Sequence, residues 1–198
     1  RALQIAGVPT VSDVWPAGES GRSLRLQRHV RAFFQGNRFL LPTFVEHVCA
    51  SVDTTDVVDL YAGVGLFGLW LAARGASVTL VEGDPVSASD LAVNAGAVSE
   101  TVQTRPESVE HYLQRAAPWP RETTVIVDPP RTGLSTDART ALITRRPRRL
   151  VYVSCDVATL ARDTRALFAA GYTLARIQGF DLFPTTAHVE TVAVFDTD

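Results

Sequence analysis

Several short segments of this chain combine residue types that could do chemistry. Gly63-Val64-Gly65-Leu66-Phe67-Gly68 fits the spacing G-x-G-x-x-G, at the end of an apolar run and the start of a helical pattern. Glycines there let the backbone approach a ligand and leave amide N–H groups free at the helix start. Glu82 lies seventeen residues after Gly65, at the end of the next apolar run, where a carboxylate could bind ribose hydroxyls. The pair suits a dinucleotide or S-adenosylmethionine; a tight structural turn is the plainer alternative. Asp128-Pro129-Pro130-Arg131 ends another apolar run, and its two prolines stiffen the exit and present Asp128. Cys155 falls between a strand-like run and a helix start, where helix amides are expected to stabilise a thiolate and lower its pKa. That location reads as a nucleophile. Cys49, on an apolar helix face, reads as buried and inert. Glu190 opens the last apolar run and is either a base within reach of a cleft or an ordinary edge-strand carboxylate. His188 stays equally open, whereas His29, His47 and His111 read as surface or core residues.

The elements that must position these residues follow from periodicity. Val8–Trp15 and Leu24–Val30 read as a strand pair, with the turn at Gly18–Gly21. Leu40, Leu41, Phe44, Val45 and Val48 fall on one helical face. Strands are expected at Val57–Tyr61, Val78–Val81, 101–104, Thr124–Val127 and Leu150–Val153. Helices are expected at Phe67–Ala73, 86–97, 107–116, 136–144 and 157–170, with Ser135 and Asp156 as caps of the last two. Tyr172–Phe183 and His188–Phe195 read as two strands with no helix between them. Alternation of this kind predicts an α/β fold with a mostly parallel sheet, and the final pair predicts an antiparallel edge. Ligands of such sheets sit at the carboxyl ends of the strands. Gly63/Gly65, Glu82, Asp128 and Cys155 each follow a different strand, which is the strongest pointer to a site.

The 198 residues suffice for one domain, and 46% are hydrophobic. No apolar run approaches the ~20 residues of a membrane span, and the start carries no secretory pattern. There is no Met, so residues upstream of Arg1 are expected. Two separated cysteines make neither a disulfide framework nor a zinc pattern, so a reducing, cytoplasmic setting without metal is expected. The net charge of −2 is no basic footprint, and the cluster Arg145, Arg146, Arg148, Arg149 reads as a solvated face.

Taken together, Phe33-Phe34-Gln35-Gly36-Asn37, Asp59–Gly65, Asp128–Gly133, Val151–Asp156, Thr159–Asp163 and Phe183–Glu190 resemble the RNA 5-methyluridine methyltransferase family, the bacterial tRNA and 23S rRNA uracil-5-methyltransferases. The resemblance covers about residues 25–198. It implies a Rossmann-like class I S-adenosylmethionine-dependent methyltransferase fold over residues 38–198, preceded by a β-rich connector over 1–37. It also implies cofactor contacts at Gln35, Tyr61, Gly63, Gly65, Glu82 and Asp128, with a more variable one at Glu107. Cys155 matches the family's nucleophile and Glu190 its base. The implied chemistry is addition of the Cys155 thiolate at uracil carbon 6, methylation at carbon 5, removal of the carbon 5 proton by Glu190, and elimination of the thiol. RNA is the implied partner and a monomer the expected state, and Tyr152–Cys155 and Thr159–Asp163 look nearer the rRNA branch than the tRNA branch.

Two positions depart from the family pattern. Leu66 replaces an Asn, which should remove a cofactor hydrogen bond. Asp156 replaces the Asn after the nucleophile, which keeps the helix cap but should oppose the thiolate. Rival readings are an NAD-dependent oxidoreductase, which leaves Cys155 and Asp128-Pro129-Pro130 without a role, and an RNA-binding module without catalysis. An amino-methylating enzyme would carry an aromatic residue where Arg131 stands.

Overall fold

The computed structural model describes residues 7–16, 23–98 and 101–197. The turn expected at Gly18–Gly21 lies outside them, but the strands on either side, β1 (Thr10–Pro16) and β2 (Ser23–His29), pair antiparallel as expected. After α1 (Leu41–Cys49), strands and helices alternate: β3 (Asp56–Leu60), α2 (Leu66–Ala73), β4 (Ser77–Val81), α3 (Pro85–Gly96), β5 (Val102–Arg105), α4 (Val109–Arg115), β6 (Thr124–Val127), α5 (Thr136–Arg145), β7 (Arg149–Ser154) and α6 (Val157–Ala169). The chain closes with β8 (Thr173–Phe180) and β9 (Glu190–Asp196).

β3 to β9 form one seven-stranded sheet in the order β5-β4-β3-β6-β7-β9-β8. The first five run parallel, because each is followed by a crossover helix. β9 enters antiparallel between β7 and β8, pairing Ser154 with Thr191 and Phe180 with Glu190. That register matters for the site, since the start of β9 lies beside the end of β7. Strands buried on both faces explain the continuous apolar runs Thr124–Val127 and Leu150–Val153. One face carries α1, α2 and the hairpin around Phe44, Phe67, Leu69 and Leu26; the other carries α4, α5 and α6 around Leu113, Leu134, Leu142 and Leu160.

The β1–β2 hairpin docks on this body. Trp15, Leu24 and Leu26 join the core, and two side chains of α3 hold the backbone of β2. Asn94 accepts from Gln27 N and donates to Gln27 O, both at 2.8 Å, and Asp90 accepts from His29 N at 2.6 Å. Ser135 and Asp156 cap α5 and α6 as expected, accepting from Ala138 N and Thr159 N.

The arginine cluster is not a freely solvated face, contrary to the reading of its sequence. Arg145 donates to the carbonyls of Leu113, Ala116 and Ala117, and Arg148 and Arg149 pair with Asp53. Arg149 also forks onto Asp196, and Arg146 donates to Ala170 O. Arg149 donates to Ser51 O as well, 98 residues away in sequence, a reach that a local reading of charge runs cannot see.

Gly68 is the most crowded of the described glycines. A Cβ there would lie 2.1 Å from Leu80 Cδ2 and 3.0 Å from Asp59 Oδ2. Gly68→Ala should therefore force α2 off the sheet and lower stability by about 2 kcal/mol, a fall of about 5 °C in Tm. A thermal melt checks this; an unchanged Tm would mean that α2 and β4 part at no cost.

Candidate active site

Four loops meet at the carboxyl edge of the sheet, and backbone geometry fixes the first. Tyr61, Gly63 and Gly65 all take positive φ, at 63°, 57° and 96°. Such angles are strained for the tyrosine and free for the glycines. Gly65 is also the N-cap of α2, and a Cβ on it would sit 2.5 Å from Leu69 Cδ1. A Cβ on Gly63 would meet nothing within 4 Å, so the backbone there borders open space. Glu82 holds the loop: its carboxylate accepts from Gly63 N at 2.8 Å and from Asp84 N at 2.6 Å. Asn94 Nδ2 donates to Val64 O at 2.9 Å as well as to β2, which ties the glycine loop to the hairpin.

Beneath this loop Asp59 is fully buried and accepts from Gly68 N at 2.9 Å, while its Oδ1 has no partner among the described residues. Burial pushes its carboxyl up to about 7, against the Gly68 hydrogen bond and with help from Glu82. Leu66, the first residue of α2, is buried. Gln35 is buried ahead of α1 with its Oε1 unpartnered among the described residues, and Glu107 lies after β5 with its carboxylate 2.6 Å from His111 Nδ1. Tyr61 turns toward α5 and α6, lining a cleft with Glu110, Pro130, Leu134, Arg139 and Arg162.

The second half of the site joins β6, β7 and β9. Asp128 leaves β6 with its N–H on Leu60 O, and Gly133 N closes a turn on Pro130 O at 2.7 Å. This loop is clipped to α6. Asp163, fully buried, accepts from Leu134 N at 3.0 Å, Tyr152 Oη at 2.8 Å and Arg139 at 2.8 Å, while Arg162 donates to Leu134 O. Gly133 leaves no room for a side chain, since a Cβ would lie 2.8 Å from Asp163 Oδ2. The Thr159–Asp163 segment thus holds the Asp128 loop against the helix that begins just after Cys155.

Cys155 is half-buried; Glu190 is 1% exposed with its Oε2 unpartnered among the described residues. Burial raises the Cys155 thiol above its ordinary pKa, and the Glu190 and Asp128 carboxylates raise it further, against the Arg131 guanidinium. The expected lowering by helix amides is therefore overturned. Asp156, not Cys155, occupies the N-cap, and two buried carboxyls face the thiol. Asp156 accepts from Thr159 N, and that hydrogen bond, with His188 near it, holds its carboxyl below the ordinary pKa, so its charge persists at the helix start. Burial pushes Glu190 up to about 7, and burial, Glu190 and Asp59 hold Asp128 well above the usual carboxylate range.

Cys155, Asp128 and Glu190 thus come together, as do Glu82 and Gly63, whereas no hydrogen bond joins Gln35, Tyr61 or Glu107 to either group. Cys49 is buried against Phe67 O with its thiol pushed up by burial, as an inert cysteine should be. Asp59, Asn94 and Asp163 were not singled out as single residues. Their signal was a polar side chain at an apolar position of a strand or helix.

Residues 120–197 match the family model described as tRNA (Uracil-5-)-methyltransferase. An uncharacterized RNA methyltransferase of Thermotoga maritima is 35% identical over 175 residues, covering 84% of this chain and 38% of that protein. One of Oceanobacillus iheyensis is 35% identical over 177 residues, covering 82% and 37%. The chain spans about two fifths of the length of these curated relatives. Among solved structures, the Pyrococcus abyssi tRNA (uracil-54, C5)-methyltransferase in complex with S-adenosyl-L-homocysteine superposes with a TM-score of 0.80 at 30% identity, over 96% of this chain and 45% of that one. TYW2 of M. jannaschii, in complex with AdoMet, superposes with a TM-score of 0.62 at 15% identity over 100% of this chain and 90% of that one, a likeness of fold alone. The fold expected from the sequence, class I methyltransferase with an antiparallel edge, is the one found.

Proposed function

From a chain that carries an RNA uracil-5-methyltransferase family catalytic domain, we propose an enzyme that methylates carbon 5 of a uridine in RNA, with S-adenosylmethionine as donor and Cys155 as covalent nucleophile. The observation that carries this reading is the meeting of Cys155, Asp128 and buried Glu190, where β6 and β7 end and β9 begins.

The cofactor's fit rests on the other half of the edge. Open space over Gly63 and unpartnered polar atoms on buried Gln35 and Asp59 suit a polar ligand laid on the glycine loop. Glu82 keeps lone pairs beyond its two backbone bonds, as ribose hydroxyls would need. Gln35, Tyr61, Gly63, Gly65, Glu82, Glu107 and Asp128 would hold S-adenosylmethionine, which supplies an electrophilic methyl group when bound. Leu66 offers no hydrogen bond where the family has Asn.

The chain's own residues do the rest. The Cys155 thiol gives up its proton to water, and its sulfur forms a bond to carbon 6 of the base. The electron pair of the carbon 5–carbon 6 double bond moves toward the carbonyl, which makes carbon 5 nucleophilic. Once carbon 5 is methylated, Glu190 takes the carbon 5 proton, the double bond returns, and the sulfur–carbon bond breaks. A carboxyl held near 7 suits both receiving and releasing a proton at neutral pH. Arg131 steadies the thiolate through its charge.

Two RNA classes suit the site. The Tyr152–Cys155 and Thr159–Asp163 segments favour 23S rRNA; the 30% identity to a tRNA (uracil-54, C5)-methyltransferase favours tRNA. The setting we propose is cytoplasmic, the protein acting as a monomer without metal. Among the described residues, no helix is long and apolar enough to cross a membrane.

The test is a trap. Incubation with S-adenosylmethionine and RNA bearing 5-fluorouracil should yield a covalent protein–RNA adduct on denaturing gels, mapped to Cys155 by mass spectrometry, because fluorine cannot leave as a proton does. Running rRNA and tRNA fragments in parallel separates the two substrates. No adduct with either, under conditions where the cofactor binds, would leave a binding module as the better account.

A further inference from the structure

A second cavity lies at the opposite end of the sheet, under the amino end of β7. Trp119, Arg121, Arg145, Arg146, Arg148 and Thr197 line it, and its volume is about 400 Å³. Arg148 is neutralised by Asp53 and by Glu122, the acid of the lining. Among the described residues, no acidic side chain pairs with Arg121, Arg145 or Arg146. Arg145 is held rigid, its guanidinium spread over three carbonyls and stacked 4.9 Å from the Trp119 ring. Arg146 takes left-handed backbone, φ 49°, a conformation rarely given to a long side chain. Thr197 is 8% exposed, and its hydroxyl is buried behind the lining with no partner among the described residues.

A chain of net charge −2 thus gathers around one cavity three guanidiniums with no acidic partner among the described residues, two of which also donate to backbone carbonyls. Guanidinium groups match the geometry of phosphate oxygens. We propose that this cavity is a binding site for a phosphate-type oxyanion. It is separate from the catalytic edge: the length of β7, about 17 Å, lies between it and Cys155. The phosphate could belong to the RNA backbone on the far side of the target uridine, or to a free phosphorylated small molecule; the chemistry of recognition is shared. The site does not depend on the catalytic reading.

The test uses the whole chain and inorganic phosphate. Thermal melts in sodium phosphate and in sodium chloride at equal ionic strength should show a saturable extra rise in Tm with phosphate. In the double variant Arg121→Gln, Arg146→Asn, half-saturation should move to about tenfold higher phosphate. Asn is chosen at 146 because it tolerates left-handed backbone. A Tm in chloride matching the wild type shows that the variant folds. The same variant then titrates with RNA across a salt series. A loss of affinity, with a salt slope shallower by about 1 to 2, assigns the phosphate to RNA; unchanged RNA binding beside a lost phosphate response assigns it to a free anion. Identical responses of wild type and variant, to phosphate and to RNA alike, would overturn the site. Formation of the Cys155 adduct by the variant keeps either result apart from a failure of the catalytic reading.

Discussion

Cys155→Ala should lower RNA methylation by about four orders of magnitude or more, the usual cost of removing a nucleophile that forms a covalent intermediate. Carbon 5 of uracil is a poor nucleophile until sulfur has added at carbon 6, and Cys49, buried against Phe67 O, cannot substitute. S-adenosylmethionine affinity should stay within about threefold of wild type, since the glycine loop and Glu82 lie after other strands. Single-turnover transfer of labelled methyl groups, with calorimetry of the cofactor, measures both. Turnover within tenfold of wild type would remove Cys155 from the chemistry and reopen direct transfer. Loss of cofactor binding would show instead that the substitution had collapsed the edge.

Glu190→Gln should separate two effects that share one cause. The Glu190 carboxyl is raised from its ordinary 4.5 to about 7 by burial, so the folded chain holds this proton more tightly than the unfolded one. The stability this confers is fully present below pH 4.5 and is lost as pH rises through 7. Gln does not titrate. The variant should therefore gain on the wild type by about 3 kcal/mol between pH 4 and pH 8. Denaturant melts at the two pH values read this directly; Asp59 titrates in both proteins, while Asp128, which Glu190 helps to raise, is released in part by the substitution and adds to the gain in the same direction.

The Glu190 charge also raises the thiol, so the variant's Cys155 should react faster with iodoacetamide at pH 8 and no faster at pH 6. Activity moves the other way. Without a base at carbon 5, a methylated adduct should accumulate on ordinary uridine RNA, visible by mass. Wild-type pH dependence in the variant, in stability and in alkylation, would mean that Glu190 is not buried beside the thiol. A variant that turned over normally would move the base elsewhere.

The reading of Cys155 shows how far sequence reasoning reached. Its place after a strand and before a helix was legible, because a continuous apolar run gives way there to a helical pattern with an Asp cap. Its acidity was not. The groups that set it, Glu190 and Asp128, stand 35 and 27 positions away in the chain and arrive through strand pairing. Glu190 shows the same limit from the other side. Its sequence allowed either a base or an edge carboxylate, and only the insertion of β9 between β7 and β8 put it beside the cysteine.

The arginine cluster failed for a related reason. Four basic residues in five positions look solvated when judged by spacing alone. Their partners, Asp53, Asp196 and the carbonyls after α4, come from three distant segments. Asn94 and Asp163 were passed over as single residues because a buried polar side chain carries meaning only once its acceptors are known.

By itself, the sequence determined the alternation of elements, their caps, the glycine turn and the residue types at each strand end. These depend on local backbone sterics and on periodicity over ten or so residues. The order of the strands, the docking of the hairpin on α3, the protonation of the three edge carboxyls and the acidity of the thiol were decided by the tertiary structure alone. Desolvation and charge–charge energies depend on distance through space, and folding sets those distances between residues that the chain keeps far apart.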